Sequence, residues 1–418
     1  MPPAVTTKTS VVERFLRYVT YDTQSAEGSS TYPSTLKQLV LLDQLVKELR
    51  EIGLADAARD QHGYVTATIP ATTKKSKVPV IGFVAHVDTS PEMSGENVKP
   101  IIHRNWQGGD ITLPDDPTAV IRASEYAPLR EQVGNDIITA SGKTLLGADN
   151  KAGVAEIVAA AEYLVAHPEL PHGAIRLAFT PDEEVGGGTT HFDVKKFGAF
   201  CAYTMDGSVR GQLDAETFSA DSMTVTFQGR NTHPGFAKNA MVNSIKIAAD
   251  FIQRLPRGRL SPESTEGREG FVHPYSLNAA VDRTSVKFII RDFTTPGLHE
   301  KEALLEKLAR ETVADWPGAT CAVDVQESYR NMREVLDQYP AIVENAREAI
   351  RRAGLELRET AIRGGTDGSR LSFMGLPTPN VFAGENNFHS RLEWVSVQDM
   401  EKAVEVIVHL CRVWEERS

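Results

Sequence analysis

The amino-acid sequence predicts an α/β fold, in which a mostly parallel sheet is flanked by helices and a smaller α+β domain is inserted. Residues 78–86, 174–180 and 199–205 are continuous apolar runs, which is typical of strands buried on both faces. The alanine-rich segment 151–166 lies between the first two runs and has helical spacing. This order predicts a parallel sheet covered by helices, with catalytic groups at the carboxyl ends of the strands.

The pattern of the chain changes in its third quarter. From about residue 217 the sequence predicts strand, helix, strand, helix and strand, an order that resembles a small ferredoxin-like α+β domain. The first pattern returns near residue 328 and ends in a long amphipathic helix. We therefore predict a catalytic domain made of residues 1–216 and 328–418, and an inserted lid domain made of residues 217–327.

Composition excludes several classes of protein. The 418 residues carry a formal net charge of -11, which disfavours a broad surface for nucleic acid or anionic membranes. Three distant cysteines, Cys201, Cys321 and Cys411, argue against a disulfide framework and a cysteine-rich zinc site. The first twenty residues lack the apolar centre of a signal peptide, and no uncharged run is long enough to span a bilayer. We expect a cytoplasmic protein.

The first apolar strand ends in a potential metal ligand pair. His86 and Asp88 are two residues apart, so both side chains can point to the same face of the strand. Imidazole suits zinc, and a neighbouring carboxylate can orient it. A hydrogen-bonded strand end is the alternative, and on local evidence alone it is favoured.

Acidic residues stand at two further element ends. Asp149 precedes the alanine-rich helix, where it could cap the helix or bridge two cations with its two oxygens. Asp182, Glu183 and Glu184 follow the second strand. Three adjacent carboxylates beside a buried strand repel one another unless cations neutralise them, although a solvated acidic loop is also possible. In such a group one carboxylate can bind metal while its neighbour accepts a proton.

Two more potential metal ligands lie outside the predicted strands and helices. Asp206 follows the third strand, and His389 lies in a turn near the C-terminus. Each alone is more often structural than a ligand. Together with the preceding residues they give two histidines, several carboxylates and no cysteine, a set typical of catalytic rather than structural zinc sites.

Motifs across the whole chain resemble those of a known family. In order they are AHVDTS, TLLGADNKAG, TPDEEVGGG, YTMDG, NTHPG, SPESTEGREGF, RGGTDGS and NNFHS. This order is similar to that of the peptidase T family of tripeptide aminopeptidases, within the wider clan of di-zinc aminoacylases, carboxypeptidases and dipeptidases. The resemblance implies a zinc-peptidase-like catalytic domain and release of the N-terminal residue from tripeptides.

The resemblance also implies roles for single residues. It implies two Zn²⁺ ions per subunit, with other divalent metals as possible substitutes, held by His86, Asp149, Glu184, Asp206 and His389. His86 and Asp206 would share one ion, Glu184 and His389 the other, and Asp149 would bridge both. Glu183 would be the general base that acts on a bridging hydroxide, and Asp88 would orient His86.

Substrate binding is expected to involve the inserted domain. The resemblance suggests that His233 stabilises the oxyanion, whereas its local sequence alone favours a plain turn residue. Arg291 and Arg363 could hold the peptide carboxylate, because a guanidinium matches a carboxylate with two hydrogen bonds; either could equally form a surface ion pair. The resemblance further suggests a homodimer formed through the inserted domain.

Two other functions stay open at this point. A dipeptidase, carboxypeptidase or N-acyl amino acid deacylase of the same clan would use the same metal chemistry. A non-catalytic peptide-binding protein could keep the same fold. The simplest sequence evidence for such a protein would be loss of Glu183, but Glu183 is present.

Overall fold

A computed structural model describes residue 5 and residues 7–418 of the chain. It divides into two compact units. Unit 1 comprises Met1–Ala215, Val335–Thr360 and Thr366–Ser418, and unit 2 comprises Glu216–Glu334 and Ala361–Gly365. The α/β class with an inserted α+β unit is confirmed.

The helices and strands are numbered in chain order. The helices are α1 (Val11–Tyr18), α2 (Gln38–Ile52), α3 (Ala127–Arg130), α4 (Ala148–Ala166), α5 (Val194–Phe197), α6 (Ser244–Arg254), α7 (Thr295–Ala314), α8 (Arg333–Leu336), α9 (Pro340–Arg352), α10 (Asp367–Phe373) and α11 (Val397–Glu416). The strands are β1 (Ala58–Arg59), β2 (Val65–Ile69), β3 (Ile81–His86), β4 (Ile101–His103), β5 (Ile111–Thr112), β6 (Val120–Ile121), β7 (Ile137–Thr139), β8 (Ile175–Thr180), β9 (Cys201–Gly207), β10 (Gln212–Thr217), β11 (Ser219–Gln228), β12 (Phe271–Ala279), β13 (Arg283–Asp292), β14 (Thr320–Tyr329), β15 (Arg358–Ile362), β16 (Asn380–Phe382), β17 (Glu385–Asn386) and β18 (Trp394–Ser396).

The main sheet of unit 1 is mixed rather than mostly parallel. Its order is β1-β2-β8-β3-β9-β16-β10-β15. The central strands β8, β3, β9 and β16 are parallel to one another, whereas β2 pairs with β8, and β10 with β16, in antiparallel fashion. The three apolar runs correspond to β3, β8 and β9, so the sequence identified three of the four parallel strands. The antiparallel edges lack such runs, because they are covered less completely.

The parallel centre brings several strand ends to one edge of the sheet. His86 at the end of β3 is in register with Thr180 at the end of β8. On the other side of β3, Val84 is in register with Thr204, two residues before Asp206. Helix α4 packs on β3 and β9, and an added Cβ at Gly153 would lie 1.9 Å from the carbonyl oxygen of Met205. Glycine at this position therefore lets the helix approach the strand closely.

A second sheet of unit 1 supports the C-terminal turn. Its antiparallel order is β17-β18-β7-β4, and the sequence patterns did not reveal it, because its strands are only two or three residues long. A small core that includes Trp106, Leu113 and Trp394 packs beside it. This sheet holds the segment between β17 and β18, which carries His389.

Unit 2 is an antiparallel sheet covered by two long helices. The strand order β12-β13-β11-β14 is that of a ferredoxin-like fold, and α6 and α7 pack on the sheet around a core that includes Phe227, Phe251 and Phe288. The unit continues past residue 328 because Asn331 accepts a hydrogen bond from the backbone N–H of Thr217 and donates its own backbone N–H to Ser219.

No helix in the described part of the chain is both long and apolar enough to cross a membrane.

Candidate metal centre and active site

Two imidazoles face one carboxylate in unit 1. Nε2 of His86 lies 2.9 Å from Oδ1 of Asp149, and Nε2 of His389 lies 3.3 Å from Oδ2 of the same residue. On the outer sides, His86 lies 3.4 Å from Asp206 and His389 lies 2.7 Å from Glu184. The structure therefore brings together all five residues that the sequence analysis named as ligands.

The loop before α4 fixes the position of Asp149. The helix begins after Gly147 and has no side-chain cap, so Asp149 is not used as an N-cap. Instead, Glu393 accepts backbone hydrogen bonds from Leu146 at 2.7 Å, Gly147 at 2.7 Å and Asp149 at 3.0 Å. Sequence reasoning missed Glu393, because a buried carboxylate that binds only backbone amides leaves no motif.

Asp88 positions two parts of the site. It is fully buried, and its Oδ1 lies 3.3 Å from Nδ1 of His86, as expected for a residue that orients this imidazole. The same carboxylate accepts the backbone N–H groups of Glu183 at 3.0 Å and Glu184 at 3.1 Å. The acidic loop after β8 is thus tied to the end of β3, a contact that the sequence did not predict.

The three adjacent acids after β8 point to different partners. Asp182, at a left-handed φ of 60°, is buried and accepts a hydrogen bond from Gln38 at 2.6 Å. Glu184 faces His389, as described above. Glu183 lies between them with a partly buried side chain. Because the side chains of Asp182 and Glu184 point to different partners, three consecutive carboxylates fit in one short loop.

The electrostatics of the cluster reflect burial of several carboxylates around two imidazoles. Desolvation raises the pKa of Glu184 to about 8 and moves the pKa of Glu183 well above its ordinary value, against the opposing charge of His86. Burial would also raise the pKa of Asp149, but hydrogen bonds from His389 and His86 hold it below the ordinary range. Although burial opposes it, bonding to Asp149 and Glu184 raises the pKa of His389 to about 11. Such a cluster favours added positive charge.

The donor atoms fit metal ions. One group consists of His86, Asp149 and Glu184, whose ligand atoms lie within 4.8 Å of one another. A second group, equally close, consists of Asp149, Asp206 and Glu385. Within the described residues, one oxygen of Glu184 and one of Glu385 are buried without a hydrogen-bond partner. Nitrogen and oxygen donors without thiolates match a catalytic zinc or similar divalent ion.

Glu385 was also missed by sequence reasoning, although a signal was available. Strand β16 is parallel to β9, with Phe382 opposite Gly207, and Glu385 follows the end of β16. The rule that carboxyl ends of parallel strands gather at one edge applies equally to this strand. The run that forms β16 is only three residues long, which is why it was not recognised.

The three substrate-binding residues named from the sequence lie in unit 2. His233 is exposed, and its Nδ1 accepts a hydrogen bond from the backbone of Gly235 at 3.1 Å. Arg363 donates to the carbonyl oxygens of Gly267 at 2.8 Å and Glu269 at 2.9 Å. Arg291 donates to the carbonyl oxygen of Arg363 at 2.9 Å. Among the described residues, the buried Nε of Arg291 has no acceptor.

Comparison with known proteins identifies the family. The model of peptidase family M20/M25/M40 matches residues 122–413. Peptidase T of Caldanaerobacter subterraneus subsp. tengcongensis is 47% identical over 408 residues, which cover 98% of this chain and 99% of that protein. Peptidase T of Clostridium botulinum (strain Kyoto / Type A2) is 47% identical over 407 residues, covering 97% and 99%.

Solved structures with the same fold include three peptidases. Aminopeptidase PepT of Bacillus cereus has a TM-score of 0.74 at 22% identity and covers 97% of this chain and 98% of that one. A tripeptidase of Staphylococcus aureus has a TM-score of 0.74 at 20% identity, with coverage of 97% and 98%. A Bacillus subtilis protein described as a dinuclear metal-binding peptidase of the M20 family has a TM-score of 0.65 at 14% identity, covering 96% and 97%.

Fold and family together define a hydrolase of the metallopeptidase class. The chain belongs to peptidase family M20/M25/M40, and within it is similar over nearly its full length to proteins named peptidase T. The resemblance stated from the sequence motifs is confirmed.

Proposed function

We propose that this chain is a metallo-aminopeptidase that releases the N-terminal residue from tripeptides. The observation that carries the proposal is the placement of Asp149, whose two oxygens face two separate imidazoles. A carboxylate in this position can bridge two cations, one oxygen to each. The similarity to proteins named peptidase T supports the substrate class.

Two divalent cations, most simply Zn²⁺, would be held by this chain's own side chains. His86 and Asp206 would bind one ion, Glu184 and His389 the other, and Asp149 both. When bound, the ions would supply positive charge that acidifies water and polarises the peptide carbonyl. Supporting this assignment, His86 lies 3.4 Å from Asp206, and His389 lies 2.7 Å from Glu184.

Glu183 is proposed as the general base and acid. Its backbone is anchored by Asp88, and its carboxylate is next in sequence to the ligand Glu184. Glu183 would take a proton from the attacking water as the new C–O bond forms, and would pass that proton to the amine as the C–N bond breaks. Desolvation, which raises the pKa of Glu183, makes it a stronger proton acceptor than an exposed glutamate.

Residues of unit 2 are proposed to recognise the peptide. His233 would stabilise the oxyanion, and its exposed ring is compatible with binding a ligand. Arg291 and Arg363 remain the candidates for the peptide carboxylate. The guanidinium of Arg363 already donates to the carbonyl oxygens of Gly267, Glu269 and Thr265. Among the described residues the Nε–H of Arg291 has no acceptor, so Arg291 is the better candidate.

A matched set of peptides tests the proposal. Zinc-loaded protein is incubated with a free tripeptide, its N-acetyl form, the corresponding dipeptide and a longer peptide, and the products are identified by mass spectrometry. Release of the N-terminal residue from the free tripeptide alone is expected. Cleavage of the acetylated form, or release from the carboxyl end, would instead indicate a deacylase or a carboxypeptidase. No cleavage of any peptide by metal-replete protein would favour a binding protein.

A further inference from the structure

We propose that Glu385 is a sixth protein ligand of the metal centre and binds the ion held by His86 and Asp206. The inference rests on the proposed function, because it assumes that this cluster holds two divalent cations. Ligand oxygens of Glu385, Asp149 and Asp206 all lie within 4.8 Å of one another. None of the sequence motifs pointed to this residue.

Hydrogen bonds hold the backbone around Glu385, so the direction of its side chain is restricted. Before it, the backbone N–H of Ala383 donates to Gly207 at 2.7 Å, and Gly384 turns the chain with a φ of 83°. The carbonyl oxygen of Glu385 accepts a hydrogen bond from Ser208 at 2.7 Å, and its backbone is in register with Val395 in the second sheet. These contacts tie Glu385 to both β9 and β18, so its position follows from two sheets at once.

Burial of this carboxylate has no compensation among the described side chains. Glu385 is 2% exposed, and its Oε1 has no hydrogen-bond partner within the described part of the chain. The charged groups that act on it are three carboxyls, Asp149, Asp206 and Glu156, and the imidazole of His86. A buried carboxylate that is ionised and has neither a donor nor a cation is strongly unfavourable. A metal ion bound between Glu385, Asp149 and Asp206 supplies the missing partner.

The comparison with Glu393 supports this assignment. Both glutamates lie in the same C-terminal segment, and both are buried. Glu393 uses both oxygens to accept three backbone N–H groups. Among the described residues Oε1 of Glu385 has no such partner, and the carboxylate lies with Asp149 and Asp206 instead. One carboxylate therefore shapes the loop, and the other is left for the ion.

A sixth ligand makes the two metal positions chemically different. One ion would be bound by His86 and three carboxylates, Asp149, Asp206 and Glu385. The other would be bound by His389 and two carboxylates, Asp149 and Glu184. Because carboxylate ligands favour harder cations such as Mn²⁺, we expect the first position to retain such ions better than the second. Four carboxylates would also balance the four positive charges of two divalent ions.

Metal-binding measurements on Glu385→Gln test the proposal. Gln keeps the size of the side chain but removes its charge. Titration of metal-free protein with Zn²⁺ and Mn²⁺, followed by calorimetry and by metal analysis after dialysis, should show two ions in the wild-type protein. In Glu385→Gln the affinity of one ion should fall at least about tenfold, with the other unchanged. Glu156→Gln is the matched control, because it removes a buried carboxyl outside both ligand groups.

Each outcome separates this inference from the proposed function. Two ions bound by Glu385→Gln with wild-type affinities would overturn the role of Glu385 and leave the peptidase assignment intact. Wild-type protein that binds no metal would overturn both. If Glu385→Gln does not fold, as judged by circular dichroism, Glu385→Asp provides the second test. Asp keeps the charge but draws the oxygens back, so it should weaken the same single ion, and unchanged affinity would contradict the proposal.

Discussion

Oε1 of Glu393 accepts a hydrogen bond from the backbone N–H of Asp149 at 3.0 Å. The other oxygen of Glu393 accepts the N–H groups of Leu146 and Gly147. The carboxylate that faces both imidazoles therefore sits on a loop whose shape is set by a residue more than two hundred positions later in the chain. Metal binding at Asp149 should depend on this second carboxylate, although Glu393 is in neither ligand group.

Glu393→Gln is expected to lower metal affinity without removing a ligand. An amide keeps one acceptor oxygen, but its NH₂ group would place a donor against a backbone donor of the loop. Outer partners of metal ligands typically contribute a factor of about 10 to 100 in affinity. Competition with a chelator of known affinity measures the change. Wild-type affinity in a correctly folded Glu393→Gln protein would contradict a positioning role.

Glu183→Gln should separate metal binding from turnover. Glu183 is in neither group of close ligand atoms, so both ions should be retained. Loss of the proton acceptor should lower kcat by about 10² to 10⁴-fold, the usual contribution of a general base. Tripeptide cleavage and metal content are measured on the same sample. Glu183→Asp serves as the conservative variant and should keep partial activity; full activity in metal-replete Glu183→Gln would rule out the assignment.

Substitution of the two arginines should have different consequences. Arg291→Met removes a guanidinium whose buried Nε–H has no acceptor among the described residues, and it should raise KM for a free tripeptide about tenfold or more. The same variant should affect a tripeptide amide little, because that substrate lacks the carboxylate. Arg363→Met removes hydrogen bonds to Gly267 and Glu269 and a contact of the guanidinium with the ring of Phe218 at 5.1 Å. It should mainly lower stability, measured by thermal unfolding. Equal KM effects on both substrates would argue against Arg291 as the carboxylate anchor.

The sequence revealed three strands of the parallel centre and three of the five proposed ligands for a common reason. Long apolar runs mark strands buried on both faces; His86 ends one such run, and Glu184 and Asp206 follow two others. Short elements carry too few residues to show a period, so β16 and the second sheet were not recognised, and Glu385 and Glu393 were missed with them. Contacts between distant segments, such as Asp88 with the amides of Glu183 and Glu184, leave no local pattern at all.

Glu156 in α4 is buried, and in the described part of the chain neither of its carboxylate oxygens has a hydrogen-bond partner. Desolvation, together with the charge of Asp399, raises its pKa well above the ordinary value of 4.5. The folded protein therefore keeps the proton at pH values where the unfolded chain has released it. The free energy of unfolding should consequently fall as pH rises above about 4.5, until the folded group also ionises.

Replacement of Glu156 by leucine should remove this pH-dependent loss of stability. Glu156→Leu is expected to raise the free energy of unfolding near pH 8 by at least about 1.4 kcal/mol, the free energy that corresponds to one pKa unit. Below about pH 4.5 both proteins bury an uncharged side chain, so the difference should shrink. Urea unfolding of metal-free wild-type and Glu156→Leu protein across this pH range measures the gap, and Glu156→Gln controls for the loss of the ionisable group without the gain of an apolar side chain. A gap that does not grow with pH would show that the carboxyl is ionised inside the fold or paired there.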